Sequence, residues 1–299
     1  MPAQPTPTNW VSIASLGLIW GATFMVVAIA LEGYGPLTVA CARTTLGALA
    51  LLALRRVLRR SWPTFTPQMT GYLIAIGLLN TALPFALLSW GQQFVPSAFA
   101  GISMAALPLF ILPLAHLFTD EKLNMRNSLG VVLGFVGAIV LIGPGVLQLG
   151  TGMEPLGQLA CIGAAISYAV SSILTRRCPP IDPIAMAALL LTVGAAALIP
   201  AMLIIEGVPA LSDPRPTIAI IALGLIPTAL AAMIRVATIR TAGAVFMTLV
   251  NYQVPLWSML FGAWILNEVL PLRFFAALGL ILFGLAVSQW GNLRRLFAR

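Results

Sequence analysis

The sequence predicts an all-α membrane protein: ten transmembrane helices, built as two five-helix repeats of opposite orientation, with both termini cytoplasmic. Three observations predict it. The 299 residues are 60% hydrophobic and only 8% charged, and the mean hydropathy is +1.01. A soluble domain must show water a more polar outside than that, whereas a chain solvated by lipid need not. The basic residues collect on alternate loops, and the second half of the chain repeats the first at a fixed offset. A formal charge of +8 would suggest nucleic acid in a soluble protein. Here the charge lies beside apolar stretches, so it reads as orientation in the bilayer, and no nucleic acid partner is expected.

About 20 apolar residues are needed to cross ~30 Å of hydrocarbon. Ten stretches qualify, roughly 11–31, 36–54, 69–90, 96–118, 127–147, 155–175, 183–205, 216–237, 242–266 and 272–290. The first follows a segment without Lys or Arg, so it reads as a retained helix and not a cleaved signal. The second stops at Arg55, Arg56, Arg59 and Arg60, and the fourth at Asp120, Glu121 and Lys122. The sixth stops at Arg176, Arg177, Cys178, Pro179 and Pro180, and the seventh is followed by Ser212 through Pro216. Little but Arg240 and Gly243 divides the eighth from the ninth.

Of the 16 Lys and Arg, the even-numbered loops and the C-terminal tail hold 12: Arg55, Arg56, Arg59, Arg60, Lys122, Arg126, Arg176, Arg177, Arg240, Arg294, Arg295 and Arg299. The odd-numbered loops hold Arg215 and Arg273. That bias puts the even loops in the cytoplasm.

A shift of 147 residues lays the chain on itself. Pro36 falls on Pro183, Gly47 on Gly194, Gly77 on Gly224, Thr81 on Thr228, Phe99 on Phe246, and Pro108 on Pro255. Glu121, Leu123, Arg126 and Gly137 fall on Glu268, Leu270, Arg273 and Gly284. Matched Pro, Glu and Arg carry weight because these types are scarce here. The repeats are expected at 1–147 and 148–299. Five helices is an odd number, so the second copy enters the membrane inverted, with a substrate site expected at the repeat interface.

Repeat one opens with Leu18-Ile19-Trp20-Gly21-Ala22-Thr23-Phe24, and repeat two has Ile166-Ser167-Tyr168-Ala169-Val170-Ser171-Ser172 at the comparable place. Both end in a Pro-bearing helix, then Glu-x-Leu, then a Gly-rich helix. Over nearly the whole chain this resembles the drug/metabolite transporter superfamily, in its ten-helix EamA-type branch. Within that branch the chain looks most like bacterial exporters of amino acids, aromatic ones included. The resemblance implies a multi-pass protein of the bacterial inner membrane that moves a small molecule outward. It also implies a central cavity walled by helices one, three, four, six, eight and nine, with five and ten outside.

The polar and aromatic residues near the middle of those helices are the expected substrate contacts: Trp20, Thr23, Asn80, Tyr168, Ser172, Asn251, Tyr252 and Gln253. Buried amides and hydroxyls need partners in lipid, and the Ser and Thr hydroxyls can find them on neighbouring helices. Trp20 and Tyr168 fall too deep for interfacial belts. Pro108 and Pro255 occupy matched positions. They read either as a paired hinge or as static kinks, since each removes a backbone donor. Arg43, about seven residues inside span two, can snorkel outward or meet a substrate carboxylate, and snorkelling is the expected role.

All eight acidic residues lie in loops or at span edges. No carboxylate is placed to carry a proton, and Glu268 is expected to pair with Arg273 at a helix end. His116 reads as interfacial. Cys41, Cys161 and Cys178 read as small packing residues, so no metal site or disulfide is expected. No cofactor is expected, and no intramembrane catalytic constellation suggests an enzyme. The expected mechanism is alternating access of a monomer, with facilitated diffusion of an amino acid. The alternative is a drug or other small-metabolite exporter of the same fold, including a proton-coupled one.

Overall fold

The computed structural model describes residues 6–118, 124–143 and 152–290, and among these the ordered elements are helices alone. The helix α1 spans Pro7–Leu31 and α2 Pro36–Val57. A third rod runs through α3 (Pro67–Gly77), a π-turn (Leu78–Ala82) and α4 (Leu83–Gly91). The next is bent between α5 (Ser97–Ala105) and α6 (Leu107–Phe118), and α7 (Met125–Ile142) follows. The second half holds α8 (Glu154–Arg177) and α9 (Pro183–Ile205). Then come α10 (Pro214–Gly224), a second π-turn (Leu225–Leu230) and α11 (Ala231–Ala242). The last elements are α12 (Ala244–Met247), α13 (Val250–Ile265) and α14 (Leu272–Ser288).

Among the described residues eight helical rods are long and apolar enough to cross a membrane, and Leu272–Ser288 is a shorter apolar helix. The stretch expected at 242–266 is divided. Gly243 adopts φ +90°, and the chain turns again at Thr248 and Leu249 before α13 begins. There Leu249 N donates to Phe246 O, and Asn251 N to Thr248 O. These bonds close tight three-residue turns just before α13. Span five is shorter than expected, because Gly143 at φ +63° ends α7. Asp120, Glu121, Lys122, Arg294, Arg295, Arg299 and the 147/148 boundary lie outside the described residues.

Helix starts follow the sequence closely. Pro stands in the first two positions of α1, α2, α3, α8, α9 and α10, where its fixed φ suits a helix and its missing N–H costs nothing. Thr66 accepts from Met69 N, and Asp182 accepts from Ile184 N and Ala185 N. Where the local residue cannot cap, a distant carboxylate does. Gly35 precedes α2 without a side chain, and the Glu206 carboxylate accepts from Leu37 N and Thr38 N, both at 2.8 Å. Pro96 precedes α5, and Glu268 accepts from Ser97 N at 2.6 Å and Ala98 N at 3.1 Å. Glu268 therefore serves the positive end of another helix and does not pair with Arg273, which lies 3.7 Å from Glu154.

Packing relies on small residues, as expected where lipid removes the hydrophobic drive between helices. At the centre, α2 lies along α9, while α1 packs on α13 and α4 on α8. The helices α7 and α14, which the resemblance puts at the periphery, pair closely with each other. A Cβ added at Gly130 would lie 2.5 Å from the Gly284 carbonyl, and one added at Gly284 would lie 2.6 Å from the Gly130 carbonyl. Only glycine permits that approach.

Candidate substrate site

The two π-turns define the middle of the molecule, and they begin at residues 147 apart. Proline is a shared ingredient. Pro227 cannot donate to the Leu223 carbonyl one turn earlier, and the Thr228 hydroxyl takes that carbonyl at 2.9 Å. Pro84 likewise cannot donate to Asn80, and Leu83 N reaches back to Leu78 O, five residues away. The widened turns expose carbonyls to other helices, and each is met from the opposite half of the chain. Trp20 Nε1 of α1 donates to Pro227 O at 3.1 Å. Ser167 Oγ of α8, which lies 147 positions after Trp20, donates to Leu79 O at 2.7 Å. π-turns inside α-helices frequently accompany functional sites.

Each π-turn also rests on a glycine of a central helix. A Cβ added at Gly194 of α9 would lie 2.1 Å from Thr81 Oγ1, and one at Gly47 of α2 would lie 2.5 Å from Thr228 Cγ2. Gly77 faces Val193, and Gly224 faces Leu46. Every partner in one half has its counterpart 147 residues away in the other.

Around these turns the structure gathers part of the expected residue set. Trp20 is half-buried and joins α1 to the second π-turn. Asn80 lies within the first, and its Oδ1 accepts from Ser171 Oγ at 3.1 Å. Tyr168, on the α8 turn that carries Ser167 and Ser171, is half-buried and packs against the same core as Trp20. The hydroxyls of Thr23 and Ser172 bond to carbonyls of their own helices, Ile19 O at 3.0 Å and Tyr168 O at 2.8 Å. Thr23 is buried and Ser172 half-buried.

The cluster on α13 is spread over several faces of the helix. Gln253 packs against Gly17 of α1, its Cβ and Oε1 both 2.7 Å from where a Gly17 Cβ would stand. Asn251 is half-buried. Tyr252 Oη is buried and has no hydrogen-bond partner among the described residues. The matched prolines sit in unlike surroundings. The chain breaks at Ala106, two residues before Pro108, with Ala106 N bonded to Ser103 O and Leu109 N to Ala106 O. Pro255 lies inside continuous α13, and the break in that half comes earlier, at Thr248 and Leu249.

Arg43, Phe85 and Thr228 meet beside the second π-turn; for Arg43 a substrate carboxylate was the alternative role and snorkelling the expected one. Arg43 Nε donates to Thr228 Oγ1 at 3.4 Å, and the Arg43 guanidinium lies 3.9 Å from the centre of the Phe85 ring. Arg43 does not snorkel outward along α2. The match of Thr81 with Thr228 was visible in the repeat, but only the fold sets these threonines against glycines of α9 and α2.

The chain matches the EamA-like transporter family twice, over residues 10–143 and 155–289. It is 28% identical over 283 residues to the uncharacterized inner membrane transporter YedA of Escherichia coli K12, covering 94% of this chain and 90% of that one. It is 27% identical over 198 residues to the uncharacterized transporter YoaV of Bacillus subtilis, covering 66% and 67%. A probable terminal-alkyne amino-acid exporter of Streptantibioticus cattleyicolor is 26% identical over 165 residues, 52% of each chain. A solved crystal structure superposes with a TM-score of 0.65 at 18% identity, covering 96% of this chain and 99% of the other. That likeness concerns the fold.

Proposed function

Because the chain belongs to the EamA-like transporter family, and so is a multi-pass membrane transporter, we propose that it exports amino acids, aromatic ones among them, through the space between its two repeats. The observation that carries the reading is the meeting of Trp20, Asn80 and Tyr168 at the paired π-turns, where each half of the chain reaches into the other. An aromatic side chain can lie on Trp20 or Tyr168. The ammonium group can meet carbonyls, the Asn80 amide and the phenol oxygens. The named amino-acid exporter among the relatives favours the same class.

On this reading ten helices cross the inner membrane of a bacterium with both termini inside, and repeats 1–147 and 148–299 rock against each other in alternating access. Pro108 and Pro255 shape or hinge the fourth and ninth helices, and the remaining expected contacts, Thr23, Ser172, Asn251, Tyr252 and Gln253, line or support the path. The protein works as a monomer.

Transport follows the substrate gradient. Among the described acidic residues, Asp182, Glu206 and Glu268 hold helix ends, while Glu32 lies 3.4 Å from Arg215 and Glu154 lies 3.7 Å from Arg273. Asp213 is exposed just before α10, so among the described residues no carboxylate is left in the central space to cycle a proton. Purified protein in liposomes, offered a panel of labelled amino acids with and without an imposed pH gradient, tests this. Uptake of a neutral amino acid should occur and should stop at the external concentration whichever way the pH gradient points. Uptake of none of the panel ends the amino acid reading. Accumulation driven by pH ends the facilitator reading.

A further inference from the structure

Arg43 carries a charge where charge is expensive. It is the eighth residue of α2, about 10 Å from the helix start at ~1.5 Å per residue. A snorkelling arginine would point back toward that near end. Arg43 does the reverse. Its Nε bonds Thr228, and the Thr228 methyl stands against Gly47, one turn deeper along the same face of α2. The side chain therefore runs inward, toward the level of the π-turns.

The guanidinium is held in place but not neutralised. One face lies on the Phe85 ring at 3.9 Å, and Nε uses one of five donors on Thr228. Arg43 forms no ion pair among the described residues. Phe85 belongs to α4 of the first half and Thr228 to the second half. Tyr168, from α8, packs against the same apolar cluster as Phe85. The cation thus sits between the halves, beside the residues already assigned to the substrate. An intramembrane arginine clamped by an aromatic face and a hydroxyl, with its fork free of acid partners, suits an anion that arrives from outside the chain.

The geometry points to Arg43 as an anion-binding subsite of the central space, taking the carboxylate of the transported molecule. The subsite rests on the amino acid reading only for what else that molecule carries. It explains how a zwitterion would be oriented: carboxylate toward α2, side chain toward Trp20 and Tyr168. It also sets a preference. Acids and zwitterions should bind, and amines lacking the carboxylate should not.

The test uses the full-length purified protein and three probes: 3-phenylpropionate, phenethylamine and labelled phenylalanine. Binding is read as the shift of the thermal midpoint with probe concentration, and transport as liposome uptake. Wild-type protein should be stabilised by 3-phenylpropionate and not by phenethylamine. Arg43→Gln should weaken 3-phenylpropionate by about tenfold or more, the scale of a lost charge-assisted fork, and raise the phenylalanine KM to a similar degree. If Arg43→Gln does not fold, Arg43→Lys keeps the charge but loses the planar fork, and should still weaken the acid about tenfold. Equal binding of 3-phenylpropionate by wild type and the folded variant, or no binding by wild type, overturns the subsite. The two readings separate cleanly. Phenylalanine uptake that survives Arg43→Gln with unchanged KM keeps the amino acid reading and ends the subsite. Arg43-dependent binding of 3-phenylpropionate without uptake of any amino acid does the opposite.

Discussion

The rod from α3 to α4 and the rod from α10 to α11 are close copies. Each has a π-turn beginning at the same repeat position, a threonine set on a glycine of a central helix, and a freed carbonyl met by a side chain from the other half. The rod from α5 to α6 and its counterpart from α12 to α13 are not copies. The first bends at Ala106, and the residue 147 positions on, Gln253, is helical; the second bends at Thr248 and Leu249, whose counterparts Gly101 and Ile102 are helical. At one end α5 packs against α13, tied by Ser258 Oγ to Ser97 O at 3.1 Å and by the Glu268 cap. At the other end the partners part company. α6 turns to α8 and α7, while Phe246 of α12 meets Trp10 of α1 edge-on at 4.9 Å. Two repeats with matched sequences can hold one end shut and the other apart only if some pair departs from symmetry. The comparison separates a matched frame from an unmatched pair on which opening and closing would depend.

The largest effect should come from breaking the frame. Gly194→Val and Gly47→Val each drive a branched side chain into a threonine that the π-turn cannot move, Thr81 in one half and Thr228 in the other. Overpacking of this kind costs about 1–3 kcal/mol or more. Both variants should lower the thermal midpoint in detergent, and by similar amounts. Pairing a milder Gly194→Ala with Thr81→Ala should recover part of the loss. Strongly unequal losses at Gly194 and Gly47 would show that the halves match in geometry but not in energy.

A smaller effect is expected where the unmatched pair is tied. Glu268→Ala strips two N–H groups at the start of α5 of a charged acceptor, a change of roughly 2 kcal/mol by the usual worth of bonds to charged groups. The loss should appear as opening more than as unfolding. In a background with Cys41, Cys161 and Cys178 replaced, a cysteine at buried Ser258 should react with a thiol reagent several-fold faster once Glu268 is alanine. An unchanged rate with a lowered midpoint would make the cap a stability element only.

Why the frame was legible and its working parts were not follows from where each signal lives. The spans, the basic asymmetry and the 147-residue repeat rest on composition and on scarce residues such as Pro36 and Pro183, which announce themselves along the chain. The trans caps do not. Glu206 and Glu268 look like loop residues until their partners, 169 and 171 positions away, arrive by folding. A π-turn adds one residue to a helical turn and leaves apolar composition unchanged. Arg43 shows the limit most clearly: its depth was countable, but its direction depends on Thr228, 185 positions on. The side on which Gln253 packs was hidden for a related reason. A run of three polar residues on a helix points to several faces, and only the neighbouring Gly17 decides which face is contact and which is lumen.

The smallest expected effect separates frame from ligand at one residue. Trp20→Phe keeps an aromatic ring and removes the donor to Pro227 O, while Ser167→Ala removes the matched donor to Leu79 O. Each leaves one carbonyl in a widened turn without its partner, a loss of about 1 kcal/mol. If both donors serve only the frame, the two variants should lose stability and transport alike, because the positions are equivalent in the repeat. The residues themselves are not equivalent. Trp20 presents a half-buried indole where Ser167 presents a buried hydroxyl. A substrate side chain stacked on that indole meets a smaller, less electron-rich face after Trp20→Phe and loses up to roughly 1 kcal/mol of contact. Trp20→Phe should therefore raise the KM for phenylalanine several-fold beyond Ser167→Ala while the thermal midpoints of the two variants stay together. Equal KM values at equal stability would return Trp20 to the frame and leave Tyr168 as the aromatic face of the site.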